Sequence, residues 1–390
     1  MRAWIKCTTY FFFEKVIGSG KENIPADGPV ILASNHPNSF LDGLLLTAYY
    51  KRPIYYMARG DVFSTPFASA LLSFLNIIPI YRKEEGIENL SKNDNTFSFC
   101  IDAFKDNGTI LIFSEGLSEN EWDLRPLRKG TARLAHTAWN DTNIGEKLKI
   151  LPATINYSSW LKINDVVYLT FAPTIEKKDF PDNIEQGFLF KRFNEALTNK
   201  LESECIVLNK EKDLEAQQII AGFLLKNFPD GKNLSIQAIK DLNSTNEDTR
   251  KRYIELVDYI KTNKLRYLNK TNVFVFLLSF LLFDVAFTLN SFPYIICRYI
   301  SKRTTRFNEF YDSVLYCLLL FIYPVYLALL FIVIYMATHT LIYASGLIAL
   351  TLITAKLREW AKRNINAFVK RKKLKTVSTM LEGLFQKGNG

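Results

Sequence analysis

The sequence predicts an α/β domain with a mostly parallel sheet flanked by helices, plus a C-terminal helical membrane region. Three observations carry this. From Pro25 to Pro173, short apolar runs alternate with helix-favouring stretches, the pattern of strand–helix units. Residues 313 to 355 form an almost uncharged apolar run that, at about 20 residues per span, suits two transmembrane helices. Basic residues cluster on both sides of that run, at Arg298, Lys302, Arg303 and Arg306 and again across LREWAKRNINAFVKRKKLK.

Residues 1–18 read as an amphipathic helix on a membrane surface, with Trp4, Phe11, Phe12 and Phe13 toward lipid. An ordinary amphipathic helix packed on the domain fits them equally. Lys6, Glu14 and Lys15 interrupt the apolar residues, unlike a cleavable signal peptide. Residues 19–175 hold the α/β domain. PVILAS, PIYYMA, IIPIYR, TILIFS, ILPATINY and VVYLTFAP are its strands, and SFLDGLLLTAYY, PFASALLSFL, FSFCIDAFKDN and GTARLAHTAWN the helices between them. Residues 176–270 are charged and helix-favouring, a helical appendage without recognisable chemistry. Residues 271–357 are the membrane-embedded helices, and 358–390 a basic cytosolic tail. Within 273–297, Asp284, Asn290 and Pro293 interrupt the apolar character, so a re-entrant or interfacial pair broken near Asn290–Pro293 is expected. The run from 313 should break near Ala337, Thr338 and His339. By the positive-inside rule, both basic clusters and the α/β domain lie on the cytosolic side.

Composition narrows the partners. The 390 residues carry 49 Lys and Arg against 39 Asp and Glu, a net charge of +10, with 48% hydrophobic residues. Such a chain suits an anionic membrane surface or substrate. No zinc spacing or nucleic-acid signature accompanies the charge. The five cysteines are scattered, with no Cys-x-x-Cys pair, which fits a reduced compartment.

The chemistry begins at SNHPNSFLDG, where His36, one of three histidines, follows the PVILAS strand. Pro37, Asn38 and Ser39 form the turn, Asn38 or Ser39 caps the next helix, and Asp42 falls near its first turn. Ligands of open α/β sheets bind at this carboxyl edge. An aspartate on one ring nitrogen fixes the tautomer and leaves the other nitrogen free as a base. Taken alone, such a pair is more often structural than catalytic. Two further stretches add to it. In residues 110 to 135, Glu115 and Gly116 end a strand at the same edge, and the following loop delivers Arg125, Arg128 and Lys129, suited to an anion. In residues 57 to 82, Arg59 and Arg82 end two successive strands.

The ordered blocks NHPNSFLD, MARGDVFSTPF…IIPIYR, IFSEGLS…LRPLRKGTARLA and LPATINY resemble the four blocks of the glycerolipid acyltransferase superfamily. The resemblance covers residues 20 to about 175. It implies a membrane O-acyltransferase of phospholipid synthesis, with His36 as general base and Asp42 as its partner. The implied donor is acyl-CoA or acyl carrier protein, and the implied acceptor is glycerol 3-phosphate or its 1-acyl derivative. It also implies that Arg82, Glu115 and Gly116 hold the phosphorylated acceptor, and that Pro152 lies near the acyl-donor path. No metal or cofactor is implied. Two departures stand out: five residues separate His36 from Asp42 where the family has four, and FSEGLS lacks the arginine of the usual third block, leaving its work to Arg125 or Arg128. An acceptor without phosphate and a non-catalytic lipid-binding protein are the alternatives. A serine hydrolase is disfavoured by the want of a Gly-x-Ser-x-Gly elbow.

Overall fold

The computed structural model describes residues 2–81, 93–160, 163–181, 185–268, 271–306 and 308–385. Its centre is a seven-stranded sheet: β1 (Lys15–Ser19), β2 (Val30–Ser34), β3 (Ile54–Arg59), β4 (Ile77–Ile80), β5 (Thr109–Phe113), β6 (Lys149–Tyr157) and β7 (Val166–Phe171). The order is β1-β7-β6-β2-β5-β3-β4, and every neighbouring pair is parallel except β6 with β7. The helices α1 (Arg2–Phe12), α2 (Ser39–Tyr49), α3 (Pro66–Phe74), α4 (Asn93–Lys105), α5 (Gly130–Trp139) and α6 (Gln186–Glu202) flank it. Strand β2 is buried along its whole length because both faces are covered. Val30 and Leu32 join a core with Leu41, Leu45 and Leu46 of α2. Ile31 and Ala33 face the other way, into a core with Phe104 of α4, Leu134 of α5 and Phe193 of α6.

The N-terminal segment departs from expectation. The helix ends at Phe12, and Lys15–Ser19 then pairs with β7 as an edge strand. Phe12 and Phe13 are each 3% exposed and pack beneath the sheet with Tyr157 and Tyr316, so they do not face lipid. Trp4 and Tyr10 remain on the surface.

Beyond the sheet come α7 (Leu214–Asn227), α8 (Gly231–Asn243) and α9 (Glu247–Thr262), then three long helices, α10 (Val273–Thr305), α11 (Tyr311–Thr338) and α12 (Leu341–Val369), and finally α13 (Arg371–Phe385). By length and composition, α10, α11 and α12 could each cross a membrane. The break expected near Ala337, Thr338 and His339 is there, with His339 left-handed between α11 and α12. The helical assignment of α10 continues through Asn290–Pro293, yet its contacts reverse there: Phe276 stacks on Phe368, Asn290 bonds Thr351 and Thr354, and Arg298 again lies beside Arg358 and Tyr311. Pro293 removes the amide that would bond the Leu289 carbonyl, and the Tyr326 hydroxyl takes that carbonyl instead at 2.7 Å. Asn290 is buried against Thr351, Thr354 and Tyr323 of the neighbouring helices, while Asp284 lies exposed. The basic tail is also helical: Leu374, Val377 and Leu381 of α13 pack into the core of α7, α8 and α9.

Candidate active site

Strands β2 and β5 are parallel neighbours in register, with Ser34 opposite Phe113. His36 and Glu115 therefore leave the sheet side by side, two residues beyond each strand. The His36 ring stacks on Phe113 with centroids 3.7 Å apart and planes 8° from parallel. Its Nδ1 lies 2.9 Å from Asp42 Oδ2. Asp42 is fully buried and takes two more donors: the Asn38 N–H on Oδ2 at 2.7 Å and the Tyr157 hydroxyl on Oδ1 at 2.7 Å. A carboxylate so surrounded accepts from His36, so Nδ1 carries the proton and Nε2 keeps its lone pair. Among the described residues Nε2 has no hydrogen-bond partner, and the His36 side chain is 17% exposed. Burial and the Asp42 charge push the Tyr157 hydroxyl well above the ordinary tyrosine value, so it stays a donor.

The turn absorbs the extra residue between His36 and Asp42. Ser39 is left-handed, with φ of 46°, a region an L-residue enters at a cost. Contacts from distant segments hold it there. Ser118 Oγ accepts the Ser39 N–H at 2.5 Å, and Asn120 donates to the Pro37 carbonyl at 2.8 Å. Ser313, at the start of α11, accepts the Leu41 N–H and donates to the Asn38 carbonyl, both at 3.0 Å. Asp312 accepts from the Asn38 amide at 3.2 Å.

Glu115 is 3% exposed. Its Oε1 accepts the His36 N–H at 2.7 Å and its Oε2 the Arg125 N–H at 3.0 Å. Arg125 Nε lies 2.9 Å from Oε2, an ion pair rather than an aligned hydrogen bond. Burial raises the Glu115 carboxyl above its ordinary value, opposed by the Arg125 charge and the two backbone donors. The rest of the Arg125 guanidinium is taken up by Glu119 at 3.2 Å and by the carbonyls of His36 and Leu117. These two residues brace the loop around the histidine.

Gly116 is left-handed, with φ of 76°, and the Arg128 chain lies across it: a methyl there would sit 3.1 Å from Arg128 Cγ. Arg128 and Lys129 are exposed, and among the described residues neither is in an ion pair. Arg59 ends β3, two strands from His36, and pairs with Asp61 at the surface. Arg82 lies outside the described residues. Pro152 sits within β6, opposite Ala33 of β2. Sequence reasoning missed Tyr157, Ser118, Asn120, Asp312 and Ser313. Of these, Tyr157 and Ser118 had a signal, their places in the LPATINY and IFSEGLS blocks.

Fold and site together define a membrane-associated α/β domain built around a buried histidine–aspartate pair. Residues 15–156 match the family model described as Acyltransferase, which supports a place for this domain in the glycerolipid acyltransferase superfamily. The 1-acyl-sn-glycerol-3-phosphate acyltransferase of Borreliella burgdorferi is 25% identical over 168 residues, which is 43% of this chain and 62% of that protein. A chloroplastic 1-acyl-sn-glycerol-3-phosphate acyltransferase of Brassica napus is 25% identical over 138 residues, 34% of this chain and 37% of that one. The chain thus spans less than two thirds of the length of either curated relative. The crystal structure of the 1-acyl-sn-glycerophosphate acyltransferase PlsC from Thermotoga maritima aligns with a TM-score of 0.37 at 18% identity, over 51% of this chain and 79% of that one.

Proposed function

We propose that the protein is a membrane-bound O-acyltransferase that moves a fatty acyl group from a thioester, acyl-CoA or acyl carrier protein, to a hydroxyl of glycerol 3-phosphate or its 1-acyl derivative. The observation that carries this is the His36–Asp42 pair, with Nδ1 bound 2.9 Å from a buried carboxylate and Nε2 left free. His36 Nε2 takes the acceptor's proton as the hydroxyl oxygen attacks the thioester carbonyl. The C–O bond forms, the C–S bond breaks, and the thiol leaves with the proton returned from the imidazolium. Asp42 stabilises that imidazolium and holds the ring. Arg128 and Lys129, exposed beside Gly116, are the cations proposed for the acceptor's phosphate. Arg125, committed to Glu115, is not. The catalytic domain is placed on the cytosolic face, where both donors reside.

The test is to incubate the full-length protein in detergent with each thioester and each acceptor, phosphorylated and not, following thioester loss and lipid product. His36→Ala should lower the rate by about 10²–10⁴ while the protein stays folded. A variant near the unaltered rate would remove His36 from the mechanism.

A further inference from the structure

A cavity of about 250 Å3, lined by neither His36 nor Asp42, lies where the helical appendage meets α10, α11 and α12. Its charge is lopsided: Lys226, Arg266, Arg298, Arg358 and Lys362 line it against one carboxylate, Glu359. Two of these cations are answered, Lys226 by Asp165 at 3.1 Å and Lys362 by Glu359 at 3.6 Å. Among the described residues no carboxylate pairs with Arg266, Arg298 or Arg358. The Arg358 guanidinium lies over the Tyr294 ring, 5.6 Å from its centroid, and its Nε is buried with no hydrogen-bond partner. A buried guanidinium donor without a protein acceptor, in a cavity of surplus positive charge, fits an anion.

Position along the helices says which anion. Arg298 follows the apolar stretch of α10, and Arg358 and Lys362 follow that of α12. Tyr311, also in the wall, opens α11 just before its apolar stretch. The cavity therefore sits where all three candidate spans pass from apolar to charged, the level of lipid headgroups. Tyrosines gather at that level, and Tyr267, Tyr294 and Tyr311 line this site.

We propose that this cavity binds the phosphate group of an anionic phospholipid, with Arg298 and Arg358 as its principal donors. The site is separate from Arg128 and Lys129, and it stands whether or not the protein transfers acyl groups. A soluble phosphate ester presents the same chemistry, so the test distinguishes the two sources. Full-length protein in neutral detergent is titrated with fluorescent phosphatidylglycerol and, separately, fluorescent phosphatidylcholine. Phosphatidylglycerol should bind more tightly, and excess glycerol 3-phosphate should not displace it. Arg298→Gln and Arg358→Gln should each weaken binding about tenfold or more, and Arg298→Lys should weaken it less than Arg298→Gln. Equal affinity for the two lipids, measured on unaltered protein and so independent of any variant's folding, would overturn the proposal. So would unchanged affinity in the folded glutamine variants. Displacement by glycerol 3-phosphate would overturn the lipid assignment in favour of a soluble ester.

Discussion

Replacing Arg125 by methionine separates two roles for this arginine: brace of the histidine loop, or ligand of the acceptor. The Glu115 side chain it faces is 1% exposed, and its own is 18% exposed. At 2.9 Å and an effective dielectric of about 20, their attraction is about 6 kcal/mol. Methionine no longer bears the cost of burying a guanidinium, but Glu115 becomes a buried charge with no counter-ion behind it, held only by the two backbone N–H donors. Breaking such a pair from one side costs about 3–5 kcal/mol net. The carbonyls of His36 and Leu117 also lose the guanidinium, at 3.3 and 3.1 Å. Thermal unfolding in detergent should therefore show a clear drop for Arg125→Met. The double variant Glu115→Gln/Arg125→Met should lose less, because no ionised carboxyl stays buried, and the cycle should return a large coupling energy. The turnover number should fall with the His36 backbone while the acceptor KM holds. An unchanged unfolding midpoint with a raised acceptor KM alone would refute the brace and make Arg125 a phosphate ligand.

Ser313→Ala deletes a buried hydroxyl that bonds both Leu41 and Asn38; it should cost about 1–3 kcal/mol of stability, and kinetics should show kcat falling at constant KM for both substrates. Gly116→Ala puts a side chain at φ of 76° and 3.1 Å from Arg128 Cγ; steady-state assays should show the acceptor KM rising more than the donor KM. The raised Glu115 carboxyl predicts a pH effect. The folded protein keeps that proton to higher pH than the unfolded chain, so the stability it lends is fully present below the ordinary value of 4.5 and is lost as pH rises through the raised one. Unfolding followed across that window should show the decline in the unaltered protein and a flatter profile for Glu115→Gln.

The strands were legible because their residues leave little choice. Runs such as PVILAS and TILIFS are apolar and β-branched, and punctuation at Pro29, Gly108 and Asn107 bounds them. Adjacent parallel strands then bring His36 and Glu115 together without further information. Strand β1 was missed because KVIGS continues an amphipathic stretch and gains its structure only from pairing with β7. The helical assignment that continues through Pro293 likewise depends on a distant partner. Pro293 breaks a helix on local grounds, and the hydroxyl that rescues the Leu289 carbonyl comes from Tyr326, on another helix. The cations of the third block were visible as a group, but their roles were not. Arg125 and Arg128 are three positions apart on one loop, and only the fold shows one turned onto Glu115 and the other lying over Gly116.

The five-residue spacing between His36 and Asp42 ties the membrane helices to the chemistry. A left-handed serine is not a conformation the turn would keep by itself. Its neighbours are held from the loop at Ser118 and Asn120 and from the first turn of α11 at Asp312 and Ser313. The loop anchors and α11 grip different groups: Ser118 and Asn120 take the Ser39 N–H and the Pro37 carbonyl, while Ser313 takes the Leu41 N–H and the Asn38 carbonyl. Asn38 is thereby fixed at its carbonyl and its side chain, and its N–H is free to point at Asp42 Oδ2, where it meets the same oxygen as His36 Nδ1. The aspartate thus owes its place to residues about 270 positions further along the chain, well past residue 156, where the family match ends. Tyr311, one residue before that clamp, lines the cationic cavity at the start of the apolar helices. Whatever orders the first turn of α11 at the membrane surface also orders the turn that presents His36.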